Sequence, residues 1–241
     1  MVKIEYTSTL EELLHIEELH PQPRRNFVPE WFKKIPADSR KYFIDEKNQP
    51  KKISRMRTVK RCPSFHEIFD EGLVIVAPCD IWISMADNNE DWLWESQDTN
   101  AINIEYHDNK QFRDFYKDKN IRGVFKLNLP WKFKTPKGYS IRQFPMHYSN
   151  NPDWEVAYGV VRTDIHTEVN VQLFYTSKEN EILIKQGEPL CYIVPYKREN
   201  VVYELIKNDK KRTAFLKKSK VNLFRVHSTF KSGYHTLMKN S

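Results

Sequence analysis

The sequence predicts a mainly β protein (α+β overall), a barrel or sandwich of short strands with an N-terminal helix and arm and a C-terminal helix attached. Two observations predict it. From Leu73 to Val194 the chain is a succession of short apolar or alternating runs, the pattern of strands rather than of helices. Between those runs fall Pro, Gly, Asn and Asp at short intervals, the residues that reverse a chain. The composition supplies the core: of 241 residues 39% are hydrophobic and 13% aromatic, with six Trp, which excludes wholesale disorder although 29% are charged.

Taken in order, Thr9-Leu10-Glu11-Glu12 reads as a capping box ahead of Leu13, Leu14 and Leu19, and predicts one short helix that stops at His20-Pro21. Pro21 to Pro36 alternates prolines with large apolar side chains such as Trp31 and Phe32, which suits an extended arm. Residues 37–61 are polar with little periodicity, and a short helix is expected over Cys62 to Phe69, with Pro63 in its first turn and Gly72 ending it.

Strands are then expected at Leu73–Ala77, Asp80–Met85, Trp92–Glu95, Ala101–Tyr106, Gly123–Leu129 and Trp131–Lys134. Five more follow at Tyr139–Phe144, Val156–Val161, Glu168–Tyr175, Glu181–Lys185 and Leu190–Val194. Only six glycines are present, and Gly138, Gly187 and Gly159 are placed at turns. Trp92 and Trp94 are expected on one strand face, with Trp82 near them, serving the core or an oligomer interface. After Pro195 a helix is expected from about Glu199 to Lys218. Three regions result: 1–61 as helix and arm, 62–198 as the β domain, and 199–241 as a basic helix and tail.

The formal charge of +7 arises from 39 basic against 32 acidic residues, a mixed solvated surface. The run from Lys207 to Lys220 could grip phosphate backbones, but the solvated face of a packed helix is the preferred reading, so nucleic acid is not the favoured partner. Cys62, Cys79 and Cys191 are far apart and form no C-x-x-C pair, which argues against a disulfide framework or a cysteine-rich zinc site and fits a reducing cytoplasm. No run nears the length of a membrane span and no signal-peptide layout is present, so a membrane is not expected as a partner.

The segment Leu129 to Ser140, with its Pro136-Lys137-Gly138-Tyr139 turn, resembles the strand, Pro-x-Gly-Tyr turn and returning strand of the dUTPase-like, or β-clip, superfamily. Ile182 to Pro195 is similar to the same superfamily's Gly-Asp-Arg-Ile-Ala-Gln-Leu region, and Ala77-Pro78-Cys79-Asp80-Ile81 to its Ala-Gly-x-Asp-Leu motif. Over roughly residues 60–198 the chain also resembles an uncharacterised domain family of bacteria and tailed phages, with a Cys-Pro start, a stretch like Asn150-Asn151-Pro152-Asp153 and a hairpin like Gly159 to Asp164. The resemblance implies a β-clip barrel or sandwich and a homo-oligomer, a trimer being usual, with a protein partner also open. It places the protein in the cytoplasm, in a phage-infected host or in a virion.

The functional motifs of that superfamily are altered. Its Pro-Arg-Ser-Gly phosphate loop corresponds to Pro145-Met146-His147-Tyr148, and Arg162 stands where the hairpin carries its Asp. A guanidinium cannot take a proton from water at neutral pH. The glycine-rich C-terminal arm has no counterpart either. The preferred expectation is therefore a non-catalytic binding or assembly protein without cofactor, with Arg162, His147 and Tyr148 as binding residues.

Two alternatives follow from other residues. A diverged nucleotide-processing enzyme would use Asp80 and Asp164 for magnesium and water, in a polar pocket shared with His147 and Arg162; turn-capping roles for these side chains are the plainer reading. An iron-dependent oxygenase would use His166, Glu168 and His227, which have the residue order of a two-histidine, one-carboxylate site, although a solvated strand face is the plainer reading of the first two.

Overall fold

The short apolar runs do form strands, and all of their named pairings are antiparallel. The structure, a computed structural model, describes residues 2–44, 50–107, 109–112 and 121–205. The chain divides into two compact units: Met1–Pro29 with Asp70–Arg198, and Glu30–Phe69 with the chain from Glu199 onward. The class is mainly β.

In the first unit a five-stranded sheet runs in the order β13 (Gly159–Val161), β11 (Tyr139–Pro145), β16 (Pro189–Lys197), β5 (Leu73–Val76), β2 (Gln22–Pro23). A four-stranded sheet runs β12 (Trp154–Val156), β14 (Val171–Tyr175), β9 (Gly123–Asn128), β8 (Asn103–His107). A three-stranded sheet runs β15 (Glu181–Ile184), β6 (Ile81–Met85), β7 (Trp92–Ser96), and β1 (Glu5–Ser8) pairs with β10 (Trp131–Lys134).

Alternation makes the core. Ile81, Ile83 and Met85 point inward from β6 while Trp82 and Ser84 point out, and Phe125, Trp131, Phe133, Ile141, Tyr175 and Ile193 are buried from five other strands. Each such side chain contributes about 1.5–3 kcal/mol on leaving water. Burial also pushes the thiols of Cys79 and Cys191 above their ordinary pKa.

The expected strand over Val156–Val161 is in fact two. Trp154–Val156 pairs with β14 and Gly159–Val161 with β11, so the chain changes sheet at Ala157–Tyr158. Gly159 accordingly lies in a strand, whereas Gly138 and Gly187 do take left-handed turns at φ 86° and 79°. Trp82 lies opposite Glu95 in the register, so it faces away from Trp92 and Trp94. Trp92 stacks on Tyr106 with centroids 5.1 Å apart.

At the N-terminus the expected helix is replaced by two 3-10 turns, Glu12–His15 and Glu17–Leu19. The capping box does not form because Thr9 is used elsewhere: its amide and its hydroxyl both donate to the Pro130 carbonyl, at 2.9 and 3.3 Å. Gly72 adopts φ 82°, and a Cβ there would lie 2.2 Å from the Ile193 carbonyl oxygen, so only glycine lets the chain pass β16 at this point.

The second unit contains α1 (Glu30–Lys34), the hairpin β3 (Asp38–Ile44) with β4 (Pro50–Arg57), and all but the last residue of α2 (Pro63–Asp70). Phe32 is its buried anchor, stacked on Phe65 at 5.9 Å and edge-on to Phe69 at 4.8 Å. The hairpin was not expected, because its Lys- and Arg-rich strands carry no one-sided apolar alternation to read. Residues 201–205 are in no regular element, and the rest of the expected C-terminal helix, with Lys207–Lys220 and His227, lies outside the described residues. No helix among the described residues is long and apolar enough to cross a membrane.

Arg122, just before β9, ties two loops together. Its guanidinium donates to the carbonyls of Met85, Ala86 and Glu179 at 3.1, 3.0 and 2.8 Å, and to the side-chain oxygens of Asn89 and Asn180 at 2.8 and 2.9 Å. The planar fork supplies five donors, an ammonium only three. Arg122→Ala is expected to cost about 2–3 kcal/mol, with Arg122→Lys restoring less than half of it. Urea denaturation, read as the shift in midpoint, checks both values.

Candidate functional site

Of the expected site residues, Asp164, Asp80, His147 and Tyr148 lie at the two ends of β16. At its C-terminal end, Asp164 follows β13 on a turn in which the Arg162 carbonyl accepts from the amides of Ile165 and His166, both at 2.9 Å. Arg198, one residue past β16, grips the Asp164 carboxylate with both terminal nitrogens, Nη1 donating to Oδ1 at 2.9 Å and Nη2 to Oδ2. The Gly138 amide donates to Oδ2 at 3.0 Å. Nη1 also reaches the Tyr139 carbonyl and Ser140 Oγ, both at 2.6 Å. The Asp164 side chain is 5% exposed. Hydrogen bonds from Arg198 and then from the Gly138 amide hold its carboxyl far below the usual carboxylate range.

Asp80 belongs to the other end. Its Oδ1 accepts from the Gln186 amide at 2.7 Å, fixing the turn that leads into β16. The two carboxylates thus contact opposite ends of β16, Asp80 at the turn before it and Asp164 at Arg198 just past it. Both cap turns, and the structure does not bring them to a common ion.

His147 and Tyr148 follow β11, also at the start of β16, and line a groove of about 760 Å³ with the loop from Ser149 to Asp153, strand β12, Thr176, Glu188 and Pro189. His147 packs among Phe144, Tyr158 and Tyr192, with centroids 6.1, 5.7 and 5.7 Å away. Beneath them the guanidinium of Arg24, 1% exposed, lies 3.7 Å from the Tyr192 ring centre. Burial and then the charge of Arg24 hold the His147 imidazole below its ordinary pKa, with Glu155 pulling the other way. Tyr148 and Asn150 hold left-handed backbone at φ 66° and 58°, and Tyr148 is 42% exposed. An aromatic residue in that region is strained, a feature that gathers at binding loops.

Arg162 is not part of the groove. It follows Val161, which pairs with Ile141, four residues back along β11 from Pro145 where the groove begins. His166 and Glu168 are exposed, and Glu168 Oε1 accepts from Lys132 Nζ at 2.9 Å, a pairing that lowers its pKa. Among the described residues no group of three or more His, Cys, Asp and Glu is placed to hold a metal ion.

Sequence reasoning missed Arg24, which looked like one of several basic residues of the arm, and Tyr192, which looked like one core residue of a strand. No local signal marks either. The polar rim Asn150-Asn151-Pro152-Asp153 was visible as a motif but carried no assignment.

No protein-family model matches the sequence, and no curated protein matches it. Among solved structures it is similar to EIAV dUTPase, with 10% identity and a TM-score of 0.34 over 58% of this chain and 87% of that one. It is similar also to the dUTPase of phage phi11 of S. aureus, with 9% identity and a TM-score of 0.30 over 54% of this chain and 98% of that one. For the dUTPase of Staphylococcus bacteriophage 80alpha the values are 10%, 0.30, 54% and 97%.

Proposed function

We propose that the protein is a non-catalytic binding or assembly protein of phage type on a dUTPase-like scaffold, that it takes its ligand in the groove at the start of β16, and that it acts in the cytoplasm of a host or in a virion. The observation that carries this is the state of Asp164. The hairpin resembling the superfamily's catalytic one has Arg162 in place of the acid, and the nearest carboxylate, two residues on, is closed into a fork with Arg198 and the Gly138 amide. A carboxylate held that strongly in its ionised form is a poor general base, because it gains little by taking a proton. What the groove presents instead is recognition: exposed aromatic surface and polar loop groups held in one shape.

Self-association is part of the proposal, with a trimer as the expected state. Among the described residues β13 pairs on one side only, and Tyr158 and Val160 beside that edge are 63% and 60% exposed. An open apolar edge is a template for pairing with another chain.

Two measurements test this reading. Incubation with a panel of deoxynucleoside and nucleoside triphosphates, with magnesium or manganese, is expected to release no pyrophosphate above the blank; release that depends on the protein overturns it. Light scattering is expected to give a mass that is a multiple of the chain's 29.0 kDa, and a monomer at high concentration removes self-association from the proposal.

A further inference from the structure

The groove has one sign of charge. Its lining contains no Lys or Arg, and its ionisable groups besides Tyr148 are His147, Asp153, Glu155 and Glu188. Burial and the charge of Arg24 disfavour the protonated form of His147, and the wall carries three carboxylates and no lysine or arginine. Arg24, whose guanidinium lies over the Tyr192 ring, is 1% exposed.

Those carboxylates are only partly engaged. Asp153 accepts from Ser177 Oγ through Oδ1 and Glu188 from the Lys185 amide through Oε2, while Asp153 Oδ2, Glu188 Oε1 and both oxygens of the exposed Glu155 accept no hydrogen bond among the described residues. Such a wall repels phosphates, and hence nucleotides and nucleic acid, and attracts ammonium and guanidinium groups. Tyr148 adds a half-exposed ring of the kind on which a cation settles. The volume, about 760 Å³, is that of a site for a few residues, and Ser149 and Asn150 offer side-chain partners to a peptide backbone.

We infer that the groove binds a lysine- or arginine-bearing segment of a partner protein, in extended form, with its cationic side chains against Glu155, Glu188 and Tyr148. This rests on the groove being the ligand site, as proposed above, and adds the charge and class of the ligand.

The test is fluorescence anisotropy on the full chain with two labelled peptides, one of alternating lysine and serine, the other of alternating glutamate and serine. The lysine peptide is expected to bind saturably, about tenfold more weakly to Glu155→Gln and more weakly still to Glu155→Lys, and less well as salt rises. The glutamate peptide is expected not to bind. Glu155 is exposed, so both variants keep the fold, which circular dichroism checks; Glu155→Gln decides if the lysine variant does not. Equal binding of the lysine peptide to wild type and Glu155→Gln, or its failure to bind, overturns the inference. Binding of the glutamate peptide that is lost in Tyr148→Ala also overturns it, but leaves the groove standing as the ligand site.

Discussion

The placement of β16 is the constraint on which the rest of the first unit depends. It lies between β11 and β5, and its buried residues Leu190 to Ile193 belong to the core that every sheet of that unit shares. Register fixes what sits at each end. Tyr139 opposite Lys197 brings Gly138 and Asp164 to Arg198, and Pro145 opposite Cys191 brings the loop after β11 beside Glu188 and Pro189. A slip of one residue would exchange the two faces of the strand and so change what every one of its side chains packs against. The bulge between Pro189 and Cys191 and the close passage of Gly72 past Ile193 hold β16 against slipping along β5.

The two ends are used differently. At one, an acid that could have served chemistry is part of the structure: the Arg198 fork joins the end of β16, the Gly138 turn and the loop after β13. At the other, polar and aromatic groups are left facing solvent on a loop whose backbone is held in the left-handed region at Tyr148 and Asn150. Strain of that kind persists only where surrounding contacts over-determine it. Here they are the Asn151 side chain accepting from the Asp153 amide at 2.9 Å and the Asp153 carboxylate accepting from Ser177 Oγ at 2.7 Å.

Much of the fold was legible in the sequence because it is written in local pattern. The alternation in Ile81 to Met85, and the turns at Gly138 and Gly187, depend on neighbouring residues only, and they are where they were expected. What depended on distant partners was not legible. Thr9 reads as a helix cap until the Pro130 carbonyl is there to take its hydrogen bonds, and Val156–Val161 reads as one strand until two sheets compete for its halves. The hairpin of β3 and β4 has no apolar face to announce it. At the site, His147 and Tyr148 could be singled out as altered members of a motif, but Arg24, over a hundred residues earlier, reaches Tyr192 only through the pairing of β2 with β5 and β5 with β16.

Asp164 is held in the Arg198 fork as part of the structure. Its pKa in the fold lies below its value in the unfolded chain, so the clamp contributes stability above the ordinary carboxylate range and loses it as pH falls toward the depressed value. The direct measurement is the titration of the Asp164 carboxyl carbon by nuclear magnetic resonance in the folded protein. The carbon is expected to keep its ionised shift through the range in which ordinary aspartates titrate, about pH 3 to 5. A midpoint within or above that range would show a carboxylate free to exchange protons, and would contradict the account.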